Sequence, residues 1–249
     1  MNKFSQVCGE ILATVGVLLL LFAFYEAYWT NIAAGRAQDE VSAEMQQRWQ
    51  NPRSHKNLEL GDAFANMYIP AFGSDFAFAV VEGANDEALL AGPGHYPETQ
   101  MPGERGNFAI AGHRVGKGAP FNDLGNLNSC DAIVIETRDS WDVYRVLPMG
   151  TDPATRNQEA AACLHQEQLG RVAEGDYAGV QGRIITTPGD VGVIDPLPNV
   201  VDANIDELEP IITLTTCHPQ FSNAERMIIH GMLTESLPKD GPRPAVMEA

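Results

Sequence analysis

Apolar positions along this chain fall into three regimes. Ile11 to Tyr25 is an unbroken run without charge, and past Glu26 the apolar character resumes as far as Trp29. With its flanks, such a run is long enough to cross a bilayer. From Thr30 to Gln50 the chain is rich in Ala, Glu, Gln and Arg, with no proline and one glycine, which predicts a polar helical stalk continuing from the apolar helix. Asn51-Pro52 ends it, and Arg53 to Gly61 reads as a linker. Beyond the linker, short β-type runs alternate with turn residues: 67–72, 76–82, 108–111, 132–137, 141–147, 182–187, 191–194, 211–216 and 226–234. Many short strands at this spacing predict an all-β barrel or sandwich.

One segment departs from the β pattern. Asp152-Pro153 suits an N-cap and first helical position and Gly175 a stop, so an inserted helix is expected within about 150–183. On it Ala161, Leu164, Leu169 and Val172 would share a face, with Cys163 turned away. The tail after Leu237, with Pro238, Pro242 and Pro244, is expected to be loosely attached. The resulting division is 1–10 inside the cell, 11–29 anchor, 30–62 stalk and linker, 63–236 barrel and 237–249 tail.

Length and charge narrow the function. A chain of 249 residues with 44% hydrophobic content suits one sizeable domain plus an attachment segment. A net charge of -17, from 16 Lys and Arg against 33 Asp and Glu, argues against nucleic acid as a partner and against anionic lipid as an attachment surface. Membrane attachment therefore falls to the apolar helix. Tyr25, Tyr28 and Trp29 lie where an outer aromatic belt would sit, and Lys3 is the basic residue on the other side, which suggests a single-pass protein with its N-terminus inside and its barrel extracellular. A cleaved signal peptide is the other reading, with Ala33-Ala34-Gly35 supplying small residues, although the apolar run is long for that purpose. Both readings export the rest of the chain.

Export gives meaning to the cysteine count. Cys8 precedes the anchor, while Cys130, Cys163 and Cys217 follow it, and an odd number in an oxidising compartment suggests one pair and one free thiol. If Cys217 is the free one, Cys130 and Cys163 are a candidate disulfide. Cys217 ends the run Ile211 to Thr216, and Arg226 opens the next run. Strand alternation puts Cys217 on the face of Thr215, Thr213 and Ile211, and Arg226 on the face of Ile228, His230 and Met232. Pairing of the two strands would set a nucleophilic thiol beside a cation that favours thiolate and oxyanion. His113, just past Phe108 to Ala111, is the candidate base. His95 and His218 remain as alternatives, whereas His55 falls in the linker and His165 in the inserted helix. No Cys/His spacing resembles a zinc motif, so neither metal nor cofactor is expected. A buried, inert Cys217 in a non-catalytic β-module is the bland alternative.

Thr213-Leu214-Thr215-Thr216-Cys217 with downstream Arg226 resembles the signature of sortases, and Asn107 to Arg114 resembles the family's Gly-His segment. The order His, Cys, Arg also fits, and the resemblance spans about 66–235. Gly94-His95-Tyr96-Pro97 and Cys217 to Ser222 are most similar to the class E, housekeeping type of high-GC Gram-positive bacteria. The resemblance implies an eight-stranded sortase barrel and a cysteine transpeptidase. Such an enzyme cuts a Leu-Ala-x-Thr-Gly sorting signal on surface proteins between Thr and Gly, then joins the thioacyl product to a peptidoglycan-precursor amine. It implies Cys217 as nucleophile, His113 as acid and base, and Arg226 at the oxyanion. Tyr96 is a candidate for favouring Ala over Pro, because a phenol can bond the amide N–H that Pro lacks, and Thr215 and Thr216 are candidates for positioning the substrate backbone. The 150–183 insertion is longer than the family's usual loop, and no Asp-Pro-aromatic lid precedes the first strand. Other exported thiol peptidases fit less well: L,D-transpeptidases set the Cys in Ser-x-Gly-Cys-x-Arg, unlike Thr216-Cys217.

Overall fold

Helix α1 (Lys3–Phe24) contains no buried residue, in keeping with its apolar surface all round. By length and composition it can cross a membrane. The computed structural model describes residues 3–51 and 58–248, so most of the linker, with His55, lies outside the described residues. A π-helical turn at Tyr25–Trp29 leads directly into α2 (Thr30–Gln50). The stalk helix is present, but it is docked rather than free-standing. Ala34 and Met45 are buried, and Met45 packs among Ala63, Ala79, Val81 and Ala88. Gln38 accepts from Ala79 N at 2.6 Å and donates to Ala91 O, and Arg48 pairs with Asp62 at 3.1 Å. The polar composition of α2 hid this contact, because its small apolar face is laid against the barrel.

The barrel is built from β1 (Ala63–Tyr68), β2 (Ala77–Glu82), the short helix α3 (Ala88–Ala91), β3 (Gly94–His95), β4 (Gly106–Ala111), β5 (Ala132–Glu136) and β6 (Ser140–Val146). Helices α4 (Pro153–Ala160) and α5 (Gln166–Ala173), then β7 (Arg183–Thr186), β8 (Pro210–His218) and β9 (Glu225–Pro238), complete it. Strands pair in the order β6-β5-β1-β2-β3-β4-β8-β9, and β9 pairs back to β6, closing an eight-stranded barrel. The ninth strand, β7, lies on the same edge of β9 as β6, pairing with residues 226–229 while β6 takes 231–238. Closure leaves the ring without a free edge. Phe108, Ile110, Ile212, Leu214, Ile229, Ile133 and Tyr144 fill its interior. β4 and β8 run parallel, and β4 is buried at every residue because its outer face is covered as well.

Three expectations need correction. The run 191–194 is a 3₁₀ turn: Gly192 breaks its β-character, and the N–H groups of Asp195 and Asn199 both close onto the Gly192 carbonyl. The inserted helix is two helices. It breaks at Ala161 to His165, where His165 is extended and forms a capping box with Gln168 to start α5. Ala161 is consequently exposed, whereas Leu164 and Val172 face the second core around Tyr177, Val180 and Ile211. Cys163 sits at the break and is disulfide-bonded to Cys130. The tail, finally, is packed. β9 reaches Pro238, Lys239 pairs with Glu136 and lies 3.7 Å from the Trp141 ring centre, and Val246 and Met247 pack on the same cluster. Its prolines lie at the strand end and beyond, where no ladder bond is lost.

Candidate active site

β-branched residues make β8 a firm strand, and its register with β9 sets Cys217 directly opposite Arg226. Directly paired cross-strand residues hold their Cβ atoms about 4.5–5.5 Å apart, so thiol and guanidinium project from neighbouring points on the barrel's outer face. The Cys217 thiol donates to Asn223 Oδ1 at 3.0 Å. Arg226 Nη1 donates to the carbonyls of Glu225 at 3.0 Å and Asn223 at 3.4 Å, which are two acceptors for a group with five N–H donors. The loop from Pro219 to Ala224 therefore wraps both groups.

His113 is brought to the same place by β4. Gly112 N donates to Thr215 O at 3.0 Å, extending the β4–β8 pairing by one residue. A Cβ at Gly112 would lie 2.5 Å from the Phe121 ring, so glycine is required for the chain to pass that buried aromatic. Phe121 N in turn donates to His113 O at 3.0 Å and closes the loop. His113, Arg114 and Val115 face Cys217, Phe221, Ser222 and Asn223 across a cleft of about 210 Å³. Burial lowers the His113 pKa, the Lys117 charge lowers it further, and Asp86 opposes them. The imidazole is thus neutral at neutral pH and able to take a proton.

A second depression, about 80 Å³, is lined by Arg226 together with Tyr96, Thr215, Ile228, Val191 and Val193. Tyr96 and Thr215 hydroxyls are 2.9 Å apart. The wall formed by residues 191–195 is held by a buried polar chain. His230 Nδ1 donates to Thr213 Oγ1 at 2.9 Å, Thr213 donates to Asn107 Oδ1 at 2.8 Å, and Asn107 Nδ2 donates to Asp195 O at 3.0 Å. Burial drives the His230 pKa down to about 4.

The structure thus places His113 and Cys217 on one depression and Arg226, Tyr96 and Thr215 on another, with the Cys217–Arg226 pair joining the two. Thr216 is corrected. It alternates to the interior, and its buried hydroxyl donates to Gly112 O at 2.8 Å, fixing the strand end that carries His113. The rival histidines are otherwise engaged: His95 is buried against Glu82 at 2.8 Å, and His218 Nδ1 accepts from Arg114 at 2.6 Å. Asn223, Arg114 and Asn107 escaped sequence reasoning as site residues. Asn223 carried no motif, and Arg114 could have been noticed only as the neighbour of His113. Arg114 also donates to Cys217 O at 3.3 Å, tying the His113 loop to the end of β8.

With this geometry in view, similarity to known proteins is decisive. Residues 67–234 match the family model described as the sortase domain. The chain belongs to the sortase family. Sortases are cysteine transpeptidases. The chain is 33% identical over 248 residues to Sortase SrtE1 of Streptomyces coelicolor, a match covering 96% of this chain and 60% of that protein, so it spans about three fifths of that relative's length. It is 27% identical to Sortase SrtE2 of the same organism, covering 96% of this chain and 85% of that one. These relatives support membership of class E. Among solved structures, the SrtF sortase from Corynebacterium diphtheriae is 63% identical, with a TM-score of 0.76 over 80% of this chain and 98% of that chain.

Proposed function

We propose that this chain is a class E transpeptidase that cleaves a Leu-Ala-x-Thr-Gly-type sorting signal between Thr and Gly and joins the Thr to a cell-wall precursor amine. The observation that carries this reading is the placement of Cys217 directly across from Arg226 and across a cleft from His113. The Cys217 thiol passes its proton to His113 as Sγ attacks the Thr carbonyl carbon. His113 then gives that proton to the departing glycine amine as the C–N bond breaks, leaving a thioester. The acceptor amine loses a proton to His113 as it attacks the thioester, and the thiol is restored. Arg226 supplies N–H donors to the oxyanion in both halves. The acyl part of the substrate lies in the Tyr96 and Thr215 depression, and the amines use the His113 side. Tyr96, its hydroxyl beside that of Thr215, bonds the amide N–H of the signal's Ala, a group Pro lacks. α1 serves as a single-pass anchor that leaves the barrel extracellular, where the surface proteins and the precursor amine are found.

Incubation with Leu-Ala-x-Thr-Gly or Leu-Pro-x-Thr-Gly peptides and an amine, followed by mass spectrometry, tests the reading. Thr-linked product from the Ala peptide in excess over the Pro peptide is expected, with the preference reduced in Tyr96→Phe. Absence of product from both, with folded protein, would refute the activity.

A further inference from the structure

The loops at the mouth of the His113 cleft, residues 115–122 and 219–223, are free of acidic side chains in a protein with 33 Asp and Glu. Within the second loop Phe221 has φ of 63° and is 88% exposed, the most exposed phenylalanine among the described residues. A large apolar side chain held outward on a short loop, in an uncommon backbone conformation, is not accounted for by packing.

The mouth is also fastened to the helix that leaves the membrane segment. Lys117 N donates to Thr30 Oγ1 at 3.4 Å and Gly118 N to Asn31 Oδ1 at 3.0 Å, while Ala34 is buried beside Gly118. These contacts fall just past Tyr28 and Trp29. Between α1 and the mouth runs a groove of about 810 Å³, lined on one side by Phe22 and Ala23 and on the other by Val115, Ala119 and Phe221. A helix rises about 1.5 Å per residue, so Ala23 lies roughly 9 Å to the membrane side of Trp29. Phe221 therefore stands level with a part of α1 that precedes the aromatic belt.

We infer that the mouth of the active site rests on the bilayer that α1 enters, with Phe221 inserted at the headgroup–acyl boundary and phospholipid filling the groove. The occupant follows from continuity: the groove shares its wall with a helix whose apolar surface is exposed all round. Attachment of this kind is apolar, not electrostatic, because the chain carries a net charge of -17 and Lys117 is the single charge on the two mouth loops. Interfacial apolar groups reach about 5–10 Å into that boundary, a depth compatible with the position of Phe221. The cleft would then open beside the membrane surface instead of being raised above it on a stalk. The inference rests on α1 being a membrane span.

The full chain is reconstituted in phosphatidylcholine vesicles, with and without bromine on the acyl chains both near their tops and near their ends, and tryptophan emission is read for single variants against the parent, whose three tryptophans give a common background. Leu19→Trp reports the span and Phe221→Trp the mouth. Arg138→Trp reports the far end of the barrel, since the β5–β6 turn adjoins Ser140, which pairs with Pro238 at the opposite end of β9 from Arg226. Bromine should remove most of the emission added by Leu19→Trp and Phe221→Trp and none of that added by Arg138→Trp, and the pattern should persist at high salt. Quenching at Leu19 without quenching at Phe221 overturns the docking inference alone. Equal quenching at Phe221 and Arg138 overturns it as nonspecific adsorption. No quenching at Leu19 overturns the span and the inference together.

Discussion

Two cations in this molecule, Arg156 in the insertion and Arg114 at the cleft, show how differently its two ends are built. Arg156 is buried, and its guanidinium donates to the carbonyls of Val172, Pro148, Gly150, Tyr177 and Val180. Nearby, Glu159 accepts from Ser129 and from the backbone of Met149 and Gly150, and the Cys130–Cys163 disulfide ties the insertion to the barrel. At the cleft the accounting is left open. Among the described residues, His113 Nε2 and Arg114 Nε are the buried side-chain nitrogens without a hydrogen-bond partner. The neighbouring loops hold Lys117, Ala119 and Phe221 at positive φ. Buried polar groups are normally satisfied, and exceptions gather where a substrate is to be received. The insertion is therefore a structural brace, whereas the cleft is the side whose polar groups the chain itself leaves incompletely paired.

The largest effects should come from the incomplete side. His113→Ala is expected to lower the transfer rate by about 10² to 10⁴-fold with the melting temperature nearly unchanged, since proton transfer commonly contributes that much. Arg226→Lys should lose about 10² to 10³-fold, because an ammonium cannot reproduce the guanidinium fork at an oxyanion. Steady-state kinetics alongside thermal melts will check both. Unchanged turnover in either variant would remove that residue from the reaction.

The brace should respond in the opposite way. Arg156→Met leaves buried carbonyls unpaired and should cost about 2–4 kcal/mol in denaturant unfolding, with transfer near the parental rate well below the melting midpoint. Loss of activity in a fully folded Arg156→Met protein would break the division between the two ends.

A smaller, graded effect should come from His230, which supports the cleft wall from beneath. Its folded pKa is depressed by burial to about 4, below the ordinary value of 6.5. The unfolded chain therefore binds the proton first as pH falls. Stability is fully retained above about pH 6.5 and declines between there and pH 4, by about 3 kcal/mol at most. Melting curves over that range should show the decline, and His230→Gln should flatten part of it.

Much of this was legible in the residues, and the failures share a cause. Period-two runs gave most of the strands, and alternation set the face of Cys217 on one strand and of Arg226 on the next, leaving their juxtaposition to the strand register. What could not be read were features fixed by tertiary context. Gly94–His95 is too short to make a pattern, yet it closes the barrel between β2 and β4. Val191 to Ile194 looked like a strand because periodicity does not sense carbonyl closure onto Gly192. Thr216 is a candidate for positioning the substrate backbone by its sequence, yet the alternation that places Cys217 outside turns Thr216 inward. The docked stalk and packed tail depended on distant partners, Met45 among β1 and β2 residues and Lys239 on Trp141, which composition alone cannot supply.

The central claim is that Cys217 carries the acyl group. Brief exposure of the folded protein to a Leu-Ala-x-Thr-Gly peptide without added amine, acid quenching and peptide mapping by mass spectrometry test it directly. The expected result is a hydroxylamine-sensitive thioester joining the Thr carbonyl to Cys217, absent in Cys217→Ala. Transfer product from Cys217→Ala, or an acyl group mapped to another residue, would contradict it.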